Sequence, residues 1–133
     1  MSFTTIGNLG VLAPAGANNA PVTGTCRVST TQPVHLLTAA PHAHTYARHM
    51  KFTVTKKDGS TVVMHDGDFK FGEQASYGLS PEVVIETGDT VTTSCYYTNM
   101  TNQNITFGES TTNEMCFNFA MYYPAGALSC SLF

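Results

Sequence analysis

Short runs of alternating apolar and polar residues are the main pattern along this chain. Met50, Phe52 and Val54 alternate with polar side chains, and this period of two marks a half-buried β-strand. Asp58-Gly59 comes next, a pair that favours a tight hairpin turn into a second strand over residues 61–64.

Further strands are predicted toward the C-terminus. Residues 83–85 form an apolar run that leads to a turn at Gly88-Asp89, and residues 90–97 follow as another strand. Residues 115–123 form the last strong strand, which Pro124 ends. No segment has a sustained helical period with caps. The pattern therefore predicts an all-β fold, with antiparallel strands in two packed sheets.

The length of 133 residues fits one domain, and neither an internal repeat nor a long linker divides the chain. We therefore treat residues 1–133 as a single β-sandwich. Glycines and prolines are frequent from Gly7 to Gly24, so residues 1–24 are expected to form an irregular lead-in with room for one short strand.

Charge is sparse, since 11% of the residues are charged and the formal net charge is −3. Clustered Lys and Arg, which nucleic-acid binding requires, are lacking, so we expect no nucleic-acid partner. No apolar stretch has the length of a membrane span. The first residues lack the basic and apolar regions of a signal peptide.

Four cysteines suit two disulfides in an oxidising compartment, either extracellular or periplasmic, and three pairings are possible. Four buried thiols or a zinc site are the alternatives. The cysteines are widely scattered without a Cys-x-x-Cys pair, which disfavours zinc.

His42-Ala43-His44 is the first candidate for metal chemistry. On an extended strand the two imidazoles project from one face and can reach one ion. The same spacing is also typical of two polar surface positions.

Met115 is the second candidate. Strand alternation places Met115, Phe117, Phe119, Met121 and Tyr123 on one face of their strand and Cys116 on the other. Such an apolar strand usually packs in a core. Two imidazoles and a thioether together nevertheless suit copper, because the soft thioether favours Cu(I) over harder divalent ions. A cupin-type iron site would need a nearby carboxylate, which residues 45–49 do not offer.

A set of motifs in order along the chain resembles the C-terminal domain of the copper type II, ascorbate-dependent monooxygenases, the family of dopamine β-monooxygenase and peptidylglycine α-hydroxylating monooxygenase. The motifs are Pro33-Val34-His35, His42-Ala43-His44, Gly88-Asp89, Ser94-Cys95-Tyr96, Phe107-Gly108, Glu114-Met115-Cys116 and Tyr122-Tyr123-Pro124.

The resemblance implies a jelly-roll-like antiparallel sandwich. It implies one copper on His42, His44 and Met115, where O2 is activated and a substrate C–H bond is hydroxylated, with ascorbate as the external reductant. It also implies disulfides Cys26–Cys130 and Cys95–Cys116, and makes His35 a residue near the site that is not a ligand.

The chain departs from the peptide-hydroxylating members of that family. Ala40 stands where they carry a substrate-binding Arg, and Phe117 and Phe119 replace Asn and Tyr. A small apolar or aromatic substrate is therefore expected. The stretch from Asp68 to Tyr77 is closer to what is expected of bacterial relatives. The family's electron-transfer copper domain has no counterpart here, so a second copper domain is an expected partner.

We therefore interpret the chain as the O2-activating half of a copper monooxygenase. The alternatives are a non-catalytic copper-binding module that serves in copper capture, delivery or electron transfer, and a structural sandwich with a degenerate site. Blue-copper chemistry is disfavoured, because it needs a Cys thiolate ligand. His49 and His65 are expected to have no metal role.

Overall fold

A computed structural model of the chain describes residues 2–110 and 112–131. Its strands are β1 (Ser2–Gly7), β2 (Leu12–Ala13), β3 (Ala20–Thr30), β4 (Val34–Ala39), β5 (Pro41–His42), β6 (Ala47–Thr55), β7 (Thr61–Asp68), β8 (Tyr77–Ile85), β9 (Thr90–Tyr97), β10 (Ile105–Thr106), β11 (Phe117–Tyr123) and β12 (Leu128–Ser131). The helical element of this part of the chain is one 3₁₀ turn at Phe71–Glu73. Within the described ranges, no helix is long and apolar enough to cross a membrane.

Two five-stranded antiparallel sheets make up the body of the molecule. The first has the order β1-β11-β4-β8, with β5 also paired to β11, and the second has the order β12-β3-β9-β6-β7. Side chains from both sheets, among them Ile6, Leu36, Phe52 and Val91, are fully buried in one core. The predicted all-β, antiparallel sandwich is confirmed.

Most of the strands predicted from alternation lie where they were expected. Residues 90–97 form β9, and the Asp58-Gly59 turn joins β6 to β7 in a hairpin. In the described residues this hairpin is the one place where consecutive strands pair. All other ladders join distant parts of the chain, so the order of strands in each sheet is a property of the tertiary fold.

The expectation of an irregular lead-in over residues 1–24 is wrong for two stretches, which are regular strands. β1 pairs with β11 along its whole length, and residues 20–24 begin the long strand β3. A side chain at Gly7 would collide with the carbonyl of Cys116, and one at Gly24 would collide with the carbonyl of Gly7. These two glycines therefore permit close backbone approach between strands and do not mark loops.

Candidate metal centre

The two histidines of the His-x-His motif lie side by side, although only the first of them is in a strand. β5 ends at His42, whose partner in β11 is Phe117, and His44 follows in a loop. The ring centroids are 5.6 Å apart with an interplanar angle of 88°. An imidazole nitrogen bonds a metal such as zinc at about 2.0 Å, which places the metal about 3 Å from the ring centroid. The observed spacing therefore allows both rings to reach one ion.

Oxygen acceptors set the tautomer of both rings. Nδ1 of His44 lies 3.1 Å from the carbonyl oxygen of Asn113, so Nδ1 carries the proton and donates it. Nδ1 of His42 lies 2.9 Å from Oε1 of Gln74. The Gln74 amide is itself oriented, because its Nε2 donates to the carbonyl of Phe71 at 3.1 Å. Of the two neutral tautomers of each ring, these acceptors therefore select the one with its lone pair on Nε2, which is the form a metal ligand needs.

The backbone of Met115 comes close to that of His44 through one carboxylate. Oε1 of Glu114 accepts from the amide of His44 at 2.7 Å and from the amide of Met115 at 3.1 Å. The ladder between β5 and β11 ends at the pair of His42 and Phe117, so neither Met115 nor His44 is part of it. That the Met115 thioether joins the two imidazoles as a ligand stays a prediction.

The backbone at Met115 is held in place from three directions. Its carbonyl oxygen accepts a hydrogen bond of 2.5 Å from the buried hydroxyl of Tyr97, and its amide donates to Oε1 of Glu114 at 3.1 Å. The next residue, Cys116, is joined to Cys95 of β9. Burial raises the pKa of Tyr97, so the hydroxyl keeps its proton and remains a donor.

Both cysteine pairs are disulfides in the structure. Cys95–Cys116 crosses between the two sheets with Cα atoms 5.9 Å apart, and Cys26–Cys130 joins β3 to β12 with Cα atoms 5.4 Å apart. This is the pairing that the resemblance implies. Disulfides of this kind persist in oxidising compartments.

A family model described as the C-terminal domain of copper type II ascorbate-dependent monooxygenases matches residues 3–131. The chain belongs to this monooxygenase family. Tyramine beta-hydroxylase of Caenorhabditis briggsae is 34% identical over 95 residues, which cover 69% of this chain and 16% of that protein. Human DBH-like monooxygenase protein 1 is 31% identical over 93 residues, 68% of this chain and 15% of the relative. Mouse DBH-like monooxygenase protein 2 is 42% identical over 64 residues, 47% of this chain and 10% of the relative.

The chain thus matches about a sixth or less of the length of these relatives. All three are animal proteins, so the expectation of a bacterial relative stays a prediction.

Aromatic side chains lie against the two histidines of this monooxygenase-family domain. Phe119 packs against His42 with centroids 5.2 Å apart, and Phe71 lies 5.9 Å from His44. Phe119 in turn contacts Phe117 at 5.9 Å. Ala40, where peptide-hydroxylating members carry Arg, offers no charge. The surface beside the pair is therefore apolar and aromatic.

His35 does not lie beside His42 and His44. It pairs with Tyr123, six residues along β11 from the Phe117 that pairs with His42. At about 3.3 Å per residue this separation is about 20 Å. Its ring stacks on Tyr123 at 4.5 Å, and its Nδ1 lies 3.0 Å from Glu82. This register places His35 away from His42, contrary to the expectation that it lies near the site. That His35 is not a ligand stays a prediction.

The remaining histidines make other contacts. His49 lies between two carboxylates, with Nε2 2.6 Å from Asp66 and Nδ1 3.1 Å from Asp68. Its pKa is raised mainly by the hydrogen bond to Asp66. His65 stacks on Tyr77 at 5.0 Å, and burial lowers its pKa. In the described part of the chain, no three His, Cys, Asp or Glu side chains are grouped as a metal site.

Sequence reasoning missed two residues at this site, Gln74 and Glu114. Glu114 was noted only as part of a motif, yet it is fully buried and accepts from the amides of His44 at 2.7 Å and Tyr46 at 2.6 Å. A charged residue directly before the apolar run of residues 115–123 was the available signal for Glu114, since buried carboxylates are rare without partners.

Proposed function

We propose that this domain binds one copper ion through His42, His44 and Met115, and that it is the O2-activating, C–H-hydroxylating half of an ascorbate-dependent monooxygenase. The observation that carries the proposal is the pair of imidazoles 5.6 Å apart, each with Nδ1 on an oxygen acceptor and Nε2 available. Membership of the monooxygenase family supports the same assignment.

The donor set favours copper on chemical grounds. Imidazole binds both copper oxidation states, and a thioether is a soft ligand that favours Cu(I). Zinc and calcium do not normally recruit Met. Cys95 and Cys116 are joined to each other, so the thiolate of a blue-copper site is not available there.

When bound, copper would supply the one-electron chemistry that reduces O2. The residues of the chain hold and orient the reactants. Gln74 and the Asn113 carbonyl accept at Nδ1 of the two imidazoles, which fixes the ring planes and leaves Nε2 as the nitrogen for the metal. Phe119 and Phe71 offer an apolar surface beside the histidines, which suits a small apolar or aromatic substrate that presents a C–H bond.

A second copper domain is part of this proposal. Hydroxylation consumes two electrons from ascorbate, whereas one Cu(I) supplies one. The chain matches only 16% of the tyramine beta-hydroxylase of C. briggsae. We propose that a separate electron-transfer domain completes the reaction, in an extracellular or periplasmic compartment where disulfides are stable.

Copper binding by four variants tests the site. Wild-type protein should bind about one copper per chain, and His42→Ala or His44→Ala should weaken binding of both oxidation states. Met115→Ile should weaken Cu(I) far more than Cu(II), because only the thioether is a soft ligand. His35→Ala is the matched control, since His35 lies about 20 Å away along β11, and it should bind like the wild type. Equal losses of Cu(I) and Cu(II) on Met115→Ile would contradict its role as a ligand.

A non-catalytic copper-binding module is the second candidate. His42 is half-buried and Phe71 is 39% exposed, so the site lies at the surface, where a partner protein can deliver or remove an ion. Stoichiometric copper binding without hydroxylation, even when a matching second copper domain is added, would favour this module over the monooxygenase half.

A further inference from the structure

Glu114 is a buried carboxylate whose partners are backbone amides. Its side chain is fully buried. Oε1 accepts from the amides of His44 at 2.7 Å and Met115 at 3.1 Å, and Oε2 accepts from the amide of Tyr46 at 2.6 Å. Burial raises the pKa of Glu114, and the three amide donors act in the opposite direction.

These amides belong to two segments that are distant in sequence. His44 and Tyr46 lie between β5 and β6, whereas Met115 lies just before β11. Asn113 adds a further link, because its carbonyl holds Nδ1 of His44. Three consecutive residues therefore have different roles. Asn113 orients the ring of His44, Glu114 holds the backbone of His44, and Met115 carries the thioether.

We propose that Glu114 is a positioning residue that sets the spacing between the Met115 thioether and the His44 imidazole before copper arrives. This inference rests on the proposed function. A carboxylate suits the task because its two oxygens can accept all three amides at once, whereas a neutral side chain of the same shape has one acceptor oxygen. Residues that orient metal ligands in this way commonly change metal affinity by about 10–100-fold.

Glu114→Gln is the direct test. The amide keeps the shape, but its NH2 group must face a backbone N–H, so at least one link between the two segments is lost. The Cu(I) Kd should rise about tenfold or more. X-ray absorption of the Cu(I) protein should show a reduced sulfur contribution, a signature that a loss of stability alone would not produce.

Asp89→Asn is the matched control. Asp89 is another buried carboxylate, and it accepts from Lys56 Nζ at 2.6 Å and from the amides of Lys57 and Glu86 at 3.0 Å each. It precedes β9, whose other end carries the Tyr97 that bonds Met115. At about 3.3 Å per residue the two ends of β9 are about 23 Å apart. The control should lose stability while its Cu(I) Kd stays within about threefold of the wild type and its sulfur signal is kept.

The outcomes separate this inference from the proposed function. If the wild type binds no copper, or binds it independently of His42 and His44, the proposed function fails. If the wild type binds copper and depends on Met115, an unchanged Cu(I) Kd in Glu114→Gln overturns the positioning role alone. Equal Cu(I) losses in Glu114→Gln and Asp89→Asn overturn it as well.

Hydrogen exchange in the copper-free wild type decides the question if Glu114→Gln does not fold. The amides of His44, Tyr46 and Met115 should be protected together, because one carboxylate holds all three. Exchange of the His44 and Tyr46 amides as fast as that of exposed loop amides would show that no such link exists before copper binds.

Discussion

The two disulfides allow stability and copper binding to be separated in one experiment. Cys26–Cys130 joins two strands of the second sheet, whereas Cys95–Cys116 crosses from β9 to the residue beside Met115. We compare Cys26→Ala/Cys130→Ala with Cys95→Ala/Cys116→Ala. Alanine is preferred to serine because Cys26, Cys95 and Cys116 are fully buried, where a hydroxyl without a partner would add its own penalty.

Loop length sets the expected loss of stability. Cys26–Cys130 closes a loop with a sequence separation of 104 residues, and Cys95–Cys116 one of 21. In the chain-entropy treatment these loops are worth about 4.7 and about 3.3 kcal/mol. For a chain of 133 residues, an unfolding entropy of about 2.1 cal/mol/K per residue converts those energies to Tm losses of about 17 °C and about 12 °C.

The loss of copper affinity should be larger for the Cys95/Cys116 variant, which is the opposite of the order expected for stability. Removal of Cys95–Cys116 frees the segment that carries Met115, so the Cu(I) Kd should rise about tenfold or more while Cu(II) binding changes less. Removal of Cys26–Cys130 should leave both affinities near those of the wild type. The assays are calorimetric unfolding, and competition with a Cu(I) chelator at a temperature where both variants are folded. Greater loss of Cu(I) affinity in the Cys26/Cys130 variant would refute the reasoning.

Three further predictions follow from the geometry. Asp89→Asn should cost about 2 kcal/mol near neutral pH by leaving Lys56 without its carboxylate. Burial alone would raise the pKa of Asp89, but the Lys56 hydrogen bond and the amide donors bring it below its ordinary value. The stabilisation by Asp89 is therefore complete above about pH 4 and is lost in more acidic solution. A cost of Asp89→Asn that grows on acidification would contradict this reasoning. His49 has a raised pKa, so its contribution to stability is complete below about pH 6.5 and is lost as the pH rises through that raised pKa. Over this pH range the Tm of His49→Gln should fall less than that of the wild type, with a difference on the order of 2 °C. An unchanged pH dependence of Tm would contradict the Asp66 contact. The isolated chain should turn over substrate poorly with ascorbate, and rapid coupled hydroxylation at one copper per chain would show that a single site gathers both electrons.

Local pattern was sufficient to predict several of the strands, among them β6, β7, β9 and β11, and the alternation of side chains across them. Met50, Phe52 and Val54 are fully buried in β6, as their alternation indicates. In β11 the residues Asn118, Ala120 and Tyr122 are buried, whereas the more apolar face with Phe119 and Met121 is half-buried. Alternation therefore divided this strand into two faces without indicating which of them meets the core. Side chains alternate strictly across a strand, so this information is present in any short window of sequence.

The partners of each strand were decided by the tertiary structure. Nothing within residues 2–7 indicates that they pair with residues 117–123, or that Gly7 and Gly24 serve close backbone approach. Periodicity assigns a face to a strand, but the choice of neighbour depends on contacts between segments that are far apart in sequence.

The candidate site divides in the same way. Residue types and spacing were enough to single out His42, His44 and Met115 as a possible ligand set. Their arrangement depends on β5 lying beside β11 and on Glu114 and Gln74, which hold the histidine segment from remote positions. A hydrogen bond between residues 70 positions apart, such as that from His44 to Glu114, leaves no local trace in the sequence, because only the folded sandwich brings its two ends together.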